Sequence, residues 1–411
     1  MKISDSIFYV GVNDHNIDLF EGQFDVPNGM AYNSYLILSD KIAVMDSVDA
    51  AFGKEWIDNI EAVLKEKGRS APDYLVVQHM EMDHSANIML FSQKYPQAKI
   101  VASKMAFNIM KNLFGTVFPE KQVVISDGFV LDLGGESGKR LLRFIAAPNV
   151  HWPEVVMTFD EKEKVLFSAD AFGKFGAIDY DDPEGWACEA RRYYFGIVGK
   201  FGNAVQELLK KAGSLDIQKI CALHGPLLPM KGAADGEGAG ASKDENGFES
   251  ISYYLKKYNI WSSYGVESDG VAIFYTSVYG HTKLLAEKLA EILIEKGCPK
   301  VVLNDLARED IYECVEDAFR YGKIVLATTT YNGGVFPKMK EFIDHLTERN
   351  YQNRKIGFIE NGSWAPSAVK GMVSMLEGGK DISFCQTKVS VKITPTEANL
   401  QELRFLADEL C

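Results

Sequence analysis

Short apolar runs bounded by turn residues alternate with longer amphipathic stretches along this 411-residue chain. Residues 31–48, "AYNSYLILSDKIAVMDSV", read as two β-rich runs around the turn at Ser39, Asp40 and Lys41. Further strand-like runs follow at "YLVVQ", "AKIVAS", "LLRFIAA" and "KVLFSAD". Between them, "KEWIDNIEAVLKEKG" and "FGNAVQELLKKAG" repeat their apolar positions at helical spacing, and each ends at glycine. The segment 231–248, rich in Gly, Ala and charge, has nothing to bury and reads as a mobile loop. After it, "ESISYYLKKYNIWSSYG" reads as a helix leading to a connector. From Gly270 onward the strands "VAIFYTSV", "KVVLND", "KIVLATTT", "KIGFIEN" and "KVSVKI" alternate with helical segments, which implies a parallel, doubly wound sheet. The pattern therefore predicts an α/β protein of two domains, 1–264 and 265–411.

Length supports the division, since a chain this long exceeds one ordinary core. Hydrophobic residues at 46% and charged residues at 25% suit a globular fold in water. The net charge of −13 disfavours nucleic acid, whose phosphates need clustered Lys and Arg. The opening "MKISDSIFYVGVND" lacks a basic start followed by a long apolar stretch, and no run reaches the ~20 apolar residues that span a bilayer. The expectation is a cytoplasmic protein with no membrane partner. Six scattered cysteines include no C-x-x-C pair, so neither a zinc ribbon nor a rubredoxin or iron–sulfur module is encoded.

Candidate chemistry gathers where the strands end. "VVQHMEMDHSAN" places His79, Glu81, Asp83 and His84 directly after an apolar run. In an extended chain, His79, Glu81 and Asp83 point to one side and His84 to the other, so one loop could serve two neighbouring metals. His151 in "APNVHWPE", Asp170 in "VLFSADAFG" and His224 in "ICALHGP" each follow another strand. His15 and His345 have no comparable context and read as ordinary surface or core residues. In "RRYYFG", Tyr193 or Tyr194 either packs a helix face or donates a proton near substrate.

A second cluster lies in 265–411. "FYTSVYGHTKLLAEKLAEIL" ends a strand, turns at Gly280 and opens a helix, a geometry suited to a phosphate held by backbone N–H groups and by Thr276, Ser277 and Thr282. Val278, Tyr279 and His281 complete this loop, and His281 is counted with it rather than with the metal histidines. Neither Gly-Lys-Ser/Thr nor G-x-G-x-x-G occurs, which disfavours a nucleoside triphosphate or a dinucleotide. Two more strand exits supply Thr329, Thr330, Tyr331, Asn332, Gly333 and Gly334, and Asn361, Gly362, Ser363 and Trp364. Tyr331 and Trp364 could sandwich a flat ring.

The series "HMEMDH", lone His, "SAD", "HG" resembles the ligand order of the metallo-β-lactamase fold over about residues 1–260, and the three later loops resemble flavodoxin. Zinc hydrolases of the first fold usually carry His where this chain has Glu81, and an added carboxylate shifts preference from zinc towards iron. The combination is similar to the flavodiiron proteins. That resemblance implies an N-terminal metallo-β-lactamase-like αββα sandwich followed by a flavodoxin-like doubly wound parallel sheet. It implies FMN in the second domain and a diiron centre in the first, with His79, Glu81 and His151 on one iron, Asp83, His84 and His224 on the other, and Asp170 as the bridge. The activity implied is reduction of nitric oxide to nitrous oxide or of dioxygen to water. Electrons would come from rubredoxin or another external donor, within a head-to-tail homodimer or a dimer of dimers. Two readings of other classes are a zinc-dependent hydrolase carrying a flavodoxin-like binding module, against which Glu81 argues, and an electron-transfer flavoprotein with a dead metal site, which would need a ligand missing.

Overall fold

A computed structural model of the chain describes residues 1–135, 139–230 and 247–411. The glycine-rich segment 231–248, expected as a mobile loop, lies outside them apart from Gly247 and Phe248. The described residues form two compact units, Met1–Tyr194 with Asn203–Asn259, and Phe195–Gly202 with Ile260–Cys411. No helix among them is long and apolar enough to cross a membrane.

The first unit stacks two sheets. One runs β1 (Ile7–Tyr9), β2 (Tyr35–Ile37), β3 (Ala43–Met45), β4 (Tyr74–Val77), β5 (Lys99–Ser103) and β6 (Gln122–Ile125) in that spatial order. It is antiparallel from β1 to β3 and parallel from β3 to β6. The other runs β7 (Val130–Asp132), β8 (Leu141–Ala146), β9 (Val156–Asp160), β10 (Val165–Phe167) and β11 (Lys219–Cys221), with only the last pair parallel. Tyr35, Met45, Val76 and Val101 from one sheet share a buried cluster with Phe144, Val156 and Phe167 from the other. The intervening residues Val44, Leu75 and Val77 are buried on the opposite face. Sheets covered on both sides require apolar residues at consecutive positions, which is why these strands lack a clean alternation. Helix α1 (Gly53–Glu66) buries Trp56, Ile57, Ile60 and Leu64 on one side, and Trp56 Nε1 donates to Ser34 Oγ at 2.9 Å.

Two local expectations need correcting. In residues 31–48, β2 and β3 flank the turn at residues 39–41 as expected, but the first run is split, beginning with the end of the separate strand Met30–Tyr32. The break falls at Asn33 and Ser34, where Asn33 N donates to Leu223 O and its side chain to Ala222 O and Gly225 O, so these groups leave the ladder. The final strand begins earlier than "KVSVKI", at Ile382, because Ile382–Phe384 pair with Arg354–Ile356 before a register shift.

In the second unit, strands β12 (Ser268–Tyr275), β13 (Val301–Asp305), β14 (Tyr321–Tyr331), β15 (Arg354–Asn361) and β16 (Ile382–Val391) are ordered β13-β12-β14-β15-β16, and every pair is parallel. Helices α2 (His281–Glu295) and α3 (Glu397–Leu410) cover one face through Leu285, Leu289, Leu403 and Leu406. Phe195–Gly202 belongs to this unit for visible reasons. The Phe195 ring stacks on Phe319 at 4.2 Å, Arg349 Nε donates to Phe195 O at 2.7 Å, and Tyr264 Oη donates to Gly199 O at 2.9 Å.

Candidate dimetal centre and cofactor cleft

The exits of β4, β8, β10 and β11 lie in the first unit, and the polar residues that follow them converge. His79, Glu81, His151 and Asp170 place ligand-competent atoms within 4.8 Å of one another, and Asp83, His84 and His224 do the same. The chain between the two groups is not extended throughout. Glu81 is the last extended residue (φ −61°, ψ 146°), and Met82–Ser85 turn into a short helix. Asp83 therefore joins His84 rather than His79 and Glu81, which corrects the side assignment expected for an extended loop.

Asp170 stands between the groups. Its Oδ2 lies 3.1 Å from His79 Nε2 and 3.3 Å from His151 Nε2. Its Oδ1 lies 3.5 Å from His84 Nε2 and 3.6 Å from His224 Nε2. Glu81 Oε2 reaches the first two imidazoles at 3.1 and 3.0 Å, and Asp83 Oδ2 reaches the second two at 3.2 and 3.3 Å. The Nε2 atoms of His84 and His224 are 2.9 Å apart.

Hydrogen bonds on the far side of the rings decide what these atoms offer. His79 Nδ1 donates to Glu154 Oε1 at 2.9 Å, and His224 Nδ1 donates to Ala31 O at 2.7 Å. Neutral rings with Nδ1–H turned outward present bare Nε2 lone pairs to carboxylate oxygens. Acceptor facing acceptor is stable only with a cation between, either a proton or a metal. Consistently, no oxygen of Asp83 or Asp170 accepts a well-formed hydrogen bond among the described residues.

The field of the carboxylates shows in the acidities. Burial works against charge on His84, but Asp83 and Asp170 outweigh it and push the ring up to about 10. His151 is likewise lowered by burial and raised more by Asp170 and Glu81, to about 9. Asp170, despite burial, is held well below the carboxylate range by the imidazoles around it. One buried carboxylate, Asp170, two part-buried ones, Glu81 and Asp83, and four imidazoles thus form a cavity that demands positive charge, which is what a hard, nitrogen- and oxygen-preferring metal pair supplies.

Residues beyond the expected set complete the surroundings. Asp46, buried at the end of β3, accepts from Gln78 N at 2.7 Å and Gln78 Nε2 at 2.9 Å and so fixes the loop leading to His79. It follows an apolar run as the other donors do, and that signal could have found it. Glu154 sits three residues after His151, with no pattern of its own. Phe20, in the hairpin Leu19–Phe20 with Phe24–Asp25, stands edge-on to His224 at 5.3 Å and makes an apolar wall with Phe175. Tyr193 is buried with its ring 5.5 Å from His224 and 5.1 Å from Phe175, so it is packed and beside the cluster at once. Tyr194 instead meets Tyr258 at 5.2 Å.

The second unit presents a cleft at the strand exits. It is lined by Ser277, Val278, Tyr279, His281, Thr282, Thr329, Thr330, Tyr331, Asn361, Gly362 and Ser363, and by Ile393, which sequence reasoning missed. Gly280, at φ 91°, starts α2 in a conformation that suits only glycine, and its N–H donates to Ser277 Oγ at 3.1 Å. Thr282 and Thr329 hydroxyls meet at 3.0 Å. Thr276 does not line the cleft, because it is buried against Thr328 with the hydroxyls 2.7 Å apart. Asn332, Gly333 and Gly334 form the turn beyond Tyr331 and, like Gly280 and the exposed Trp364, are not among the lining residues. His15 pairs with Asp179 at 3.2 Å and His345 lies against Tyr312, both away from either site.

Comparison with known proteins gives the same two parts. The family model described as "ODP family beta lactamase" matches residues 30–225, and the flavodoxin domain model matches residues 272–374. The putative diflavin flavoprotein A 1 of Thermosynechococcus vestitus is 30% identical over 397 residues, which is 95% of this chain and 63% of that protein, under two thirds of its length. The anaerobic nitric oxide reductase flavorubredoxin of Shigella dysenteriae is 27% identical over 385 residues, 91% of this chain and 74% of that one. The crystallised rubredoxin oxygen:oxidoreductase of Desulfovibrio gigas superposes with a TM-score of 0.86 at 26% identity, covering 100% of this chain and 97% of the other.

Proposed function

Because the chain belongs to the flavodiiron proteins, oxidoreductases that join a metallo-β-lactamase-like domain to a flavodoxin-like one, we propose that it reduces nitric oxide to nitrous oxide, dioxygen to water, or both. Its cofactors are FMN and two iron ions. Under this reading His79, Glu81 and His151 would hold one iron and Asp83, His84 and His224 the other, with Asp170 the group shared between them. FMN occupies the cleft between Ser277 and Ser363. The observation that carries the reading is the position of Asp170, whose two oxygens face two separate sets of imidazoles and carboxylates.

When bound, the flavin would supply electrons one at a time, and the iron pair would supply storage for two of them and a place where a small gas molecule could bind. The protein's part is positioning and protonation. Glu154 and Ala31 O hold His79 and His224 with Nε2 directed inward. Phe20 and Phe175 screen the His224 side from water. Tyr193 keeps its Oη proton, because burial first, and then the charges of Asp170 and Asp83, hold its ionisation well above the usual range. It is the candidate hydrogen-bond donor to a bound gas. The relatives' names pair this chemistry with rubredoxin, so rubredoxin or another external carrier is the proposed electron source. A head-to-tail homodimer, placing one copy's flavin beside the other's irons, is the proposed assembly, and the division at 264/265 is the proposed domain limit.

The deciding experiment is to quantify iron and flavin in the purified protein, reduce it anaerobically, and compare its consumption of the two gases. Two irons and one FMN per chain with turnover of either gas is the expected result. Zinc in place of iron, with no gas consumed, would overturn it.

A further inference from the structure

The two sets of ligands around Asp170 are matched in kind. Each has two imidazoles and one carboxylate of its own, and each faces one oxygen of Asp170. The hydrogen bonds behind the imidazoles are not matched. His79 Nδ1 donates to a carboxylate, Glu154 Oε1, at 2.9 Å. His224 Nδ1 donates to a backbone carbonyl, and His84 Nδ1 has no hydrogen-bond partner among the described residues.

Glu154 is built into place. Its side chain is fully buried, its Oε1 also accepts the backbone N–H of Met80 at 2.9 Å, and its carbonyl oxygen accepts from Ser103 Oγ at 3.1 Å. Both groups facing Oε1 are donors, and Oε2 is buried with no hydrogen-bond partner among the described residues. Among the described residues, its one ion-pair partner is His79. A carboxylate behind a ligating imidazole fixes the tautomer and makes the inner nitrogen a stronger donor to metal, whereas a carbonyl does so less.

We propose that Glu154 is a positioning residue that makes the two metal positions unequal. By holding His79 with Nε2 inward and placing a negative charge behind it, Glu154 makes the His79–Glu81–His151 position the tighter of the two and the one that favours ferric iron. The inference rests on the diiron reading above.

The test compares wild type, Glu154→Gln and Glu154→Ala as full-length, FMN-loaded protein stripped of metal and titrated anaerobically with Fe²⁺. Wild type is expected to take up two Fe²⁺ per chain in unequal steps. In Glu154→Ala one step weakens by about 10–100-fold and the other stays unchanged. Glu154→Gln keeps an acceptor for Nδ1–H but no charge, so its affinity falls less. Its more easily oxidised iron loses about tenfold in ferric preference, a rise in midpoint potential of about 59 mV for one electron. Equal weakening of both steps, or unchanged steps and potential, would overturn the proposal. A residue that only packs would lower thermal stability without moving the potential. If Glu154→Ala fails to retain FMN, the potential of Glu154→Gln decides alone. Fewer than two Fe²⁺ bound by wild type would instead sink the diiron reading, and is seen before any variant is compared.

Discussion

The two sites sit at equivalent places, the ends of β-strands, yet they are built in opposite ways. In the first unit His79, His84, His224 and Asp170 are almost wholly buried, and the far nitrogens of His79 and His224 are tied down. In the second, Tyr279 is 90% exposed and Trp364 83% exposed, while the buried hydroxyls pair with one another beneath the cleft. The contrast follows ligand size. A metal ion is small enough to be enclosed, and it repays a concentration of buried charge that nothing else could stabilise. A flavin is large and flat, so its site needs a rigid floor and aromatic surfaces left open to receive it.

The sharpest way to break this comparison is to remove Asp170, the proposed bridge. Asp170→Ala leaves each set of imidazoles with one carboxylate and no shared group, and it should abolish turnover and bring iron well below two per chain while FMN stays bound. Metal analysis and the flavin absorbance of one sample check both halves. Loss of flavin alongside iron would mean that the two sites are not independent.

Acidity separates the sites next. The folded imidazoles of His84 and His151 lie at about 10 and about 9, above the ~6.5 of an unfolded chain. In metal-free protein their charge therefore contributes fully to stability below pH ~6.5 and is lost as pH rises through about 9 to 10. The same protons must leave when metal enters. Iron affinity should thus climb between pH 7 and 9 by roughly tenfold per unit for each proton displaced, while FMN affinity changes little. Chelator competition at three pH values measures the slope, and a flat profile would show that the rings are not ligands.

How much of this was written in the sequence differs between the sites for physical reasons. The strand exits were readable because a buried strand must be apolar and its polar successor then stands out, as at His79, Asp170 and Ser277. Which donors share a metal was not readable from spacing, since it depends on the chain turning helical at Met82. Glu154 and the carbonyl of Ala31 left no pattern, because their partners lie 75 and 193 residues away. Membership of Phe195–Gly202 in the second unit was equally hidden, for it rests on one stacked ring and on backbone carbonyls that any residue carries. Ile393 lines the cleft through a loop that Asn361 fixes from both sides, its Nδ2 donating to Ile393 O at 2.9 Å and its Oδ1 accepting Ile393 N–H at 3.0 Å.

The floor of the open site is tested by Thr276→Val. It removes one of two buried hydroxyls, that of Thr276 just after β12, and leaves the other, Thr328 within β14, unpaired. The expected cost is about 1–3 kcal/mol in unfolding free energy, largely recovered by adding Thr328→Val, because removing both polar groups leaves nothing unsatisfied. Denaturant melts of the single and double variants check it, and a double variant as unstable as the single would assign the cost to shape instead.

Trp364→Ala should have the smallest effect and is the most specific to the flavin. Its loop is anchored, with Gly362 N donating to Val391 O at 3.0 Å and Asn361 bonded to Ile393, while the indole itself stays exposed. A fixed backbone carrying a free aromatic face loses little conformational freedom on binding, so most of the stacking energy reaches the ligand. Losing the indole should cost about 0.5–1.5 kcal/mol of FMN affinity and shift the flavin absorbance, with iron content unchanged. An unaltered spectrum would place the isoalloxazine away from this loop and leave Tyr331 as the aromatic surface it meets.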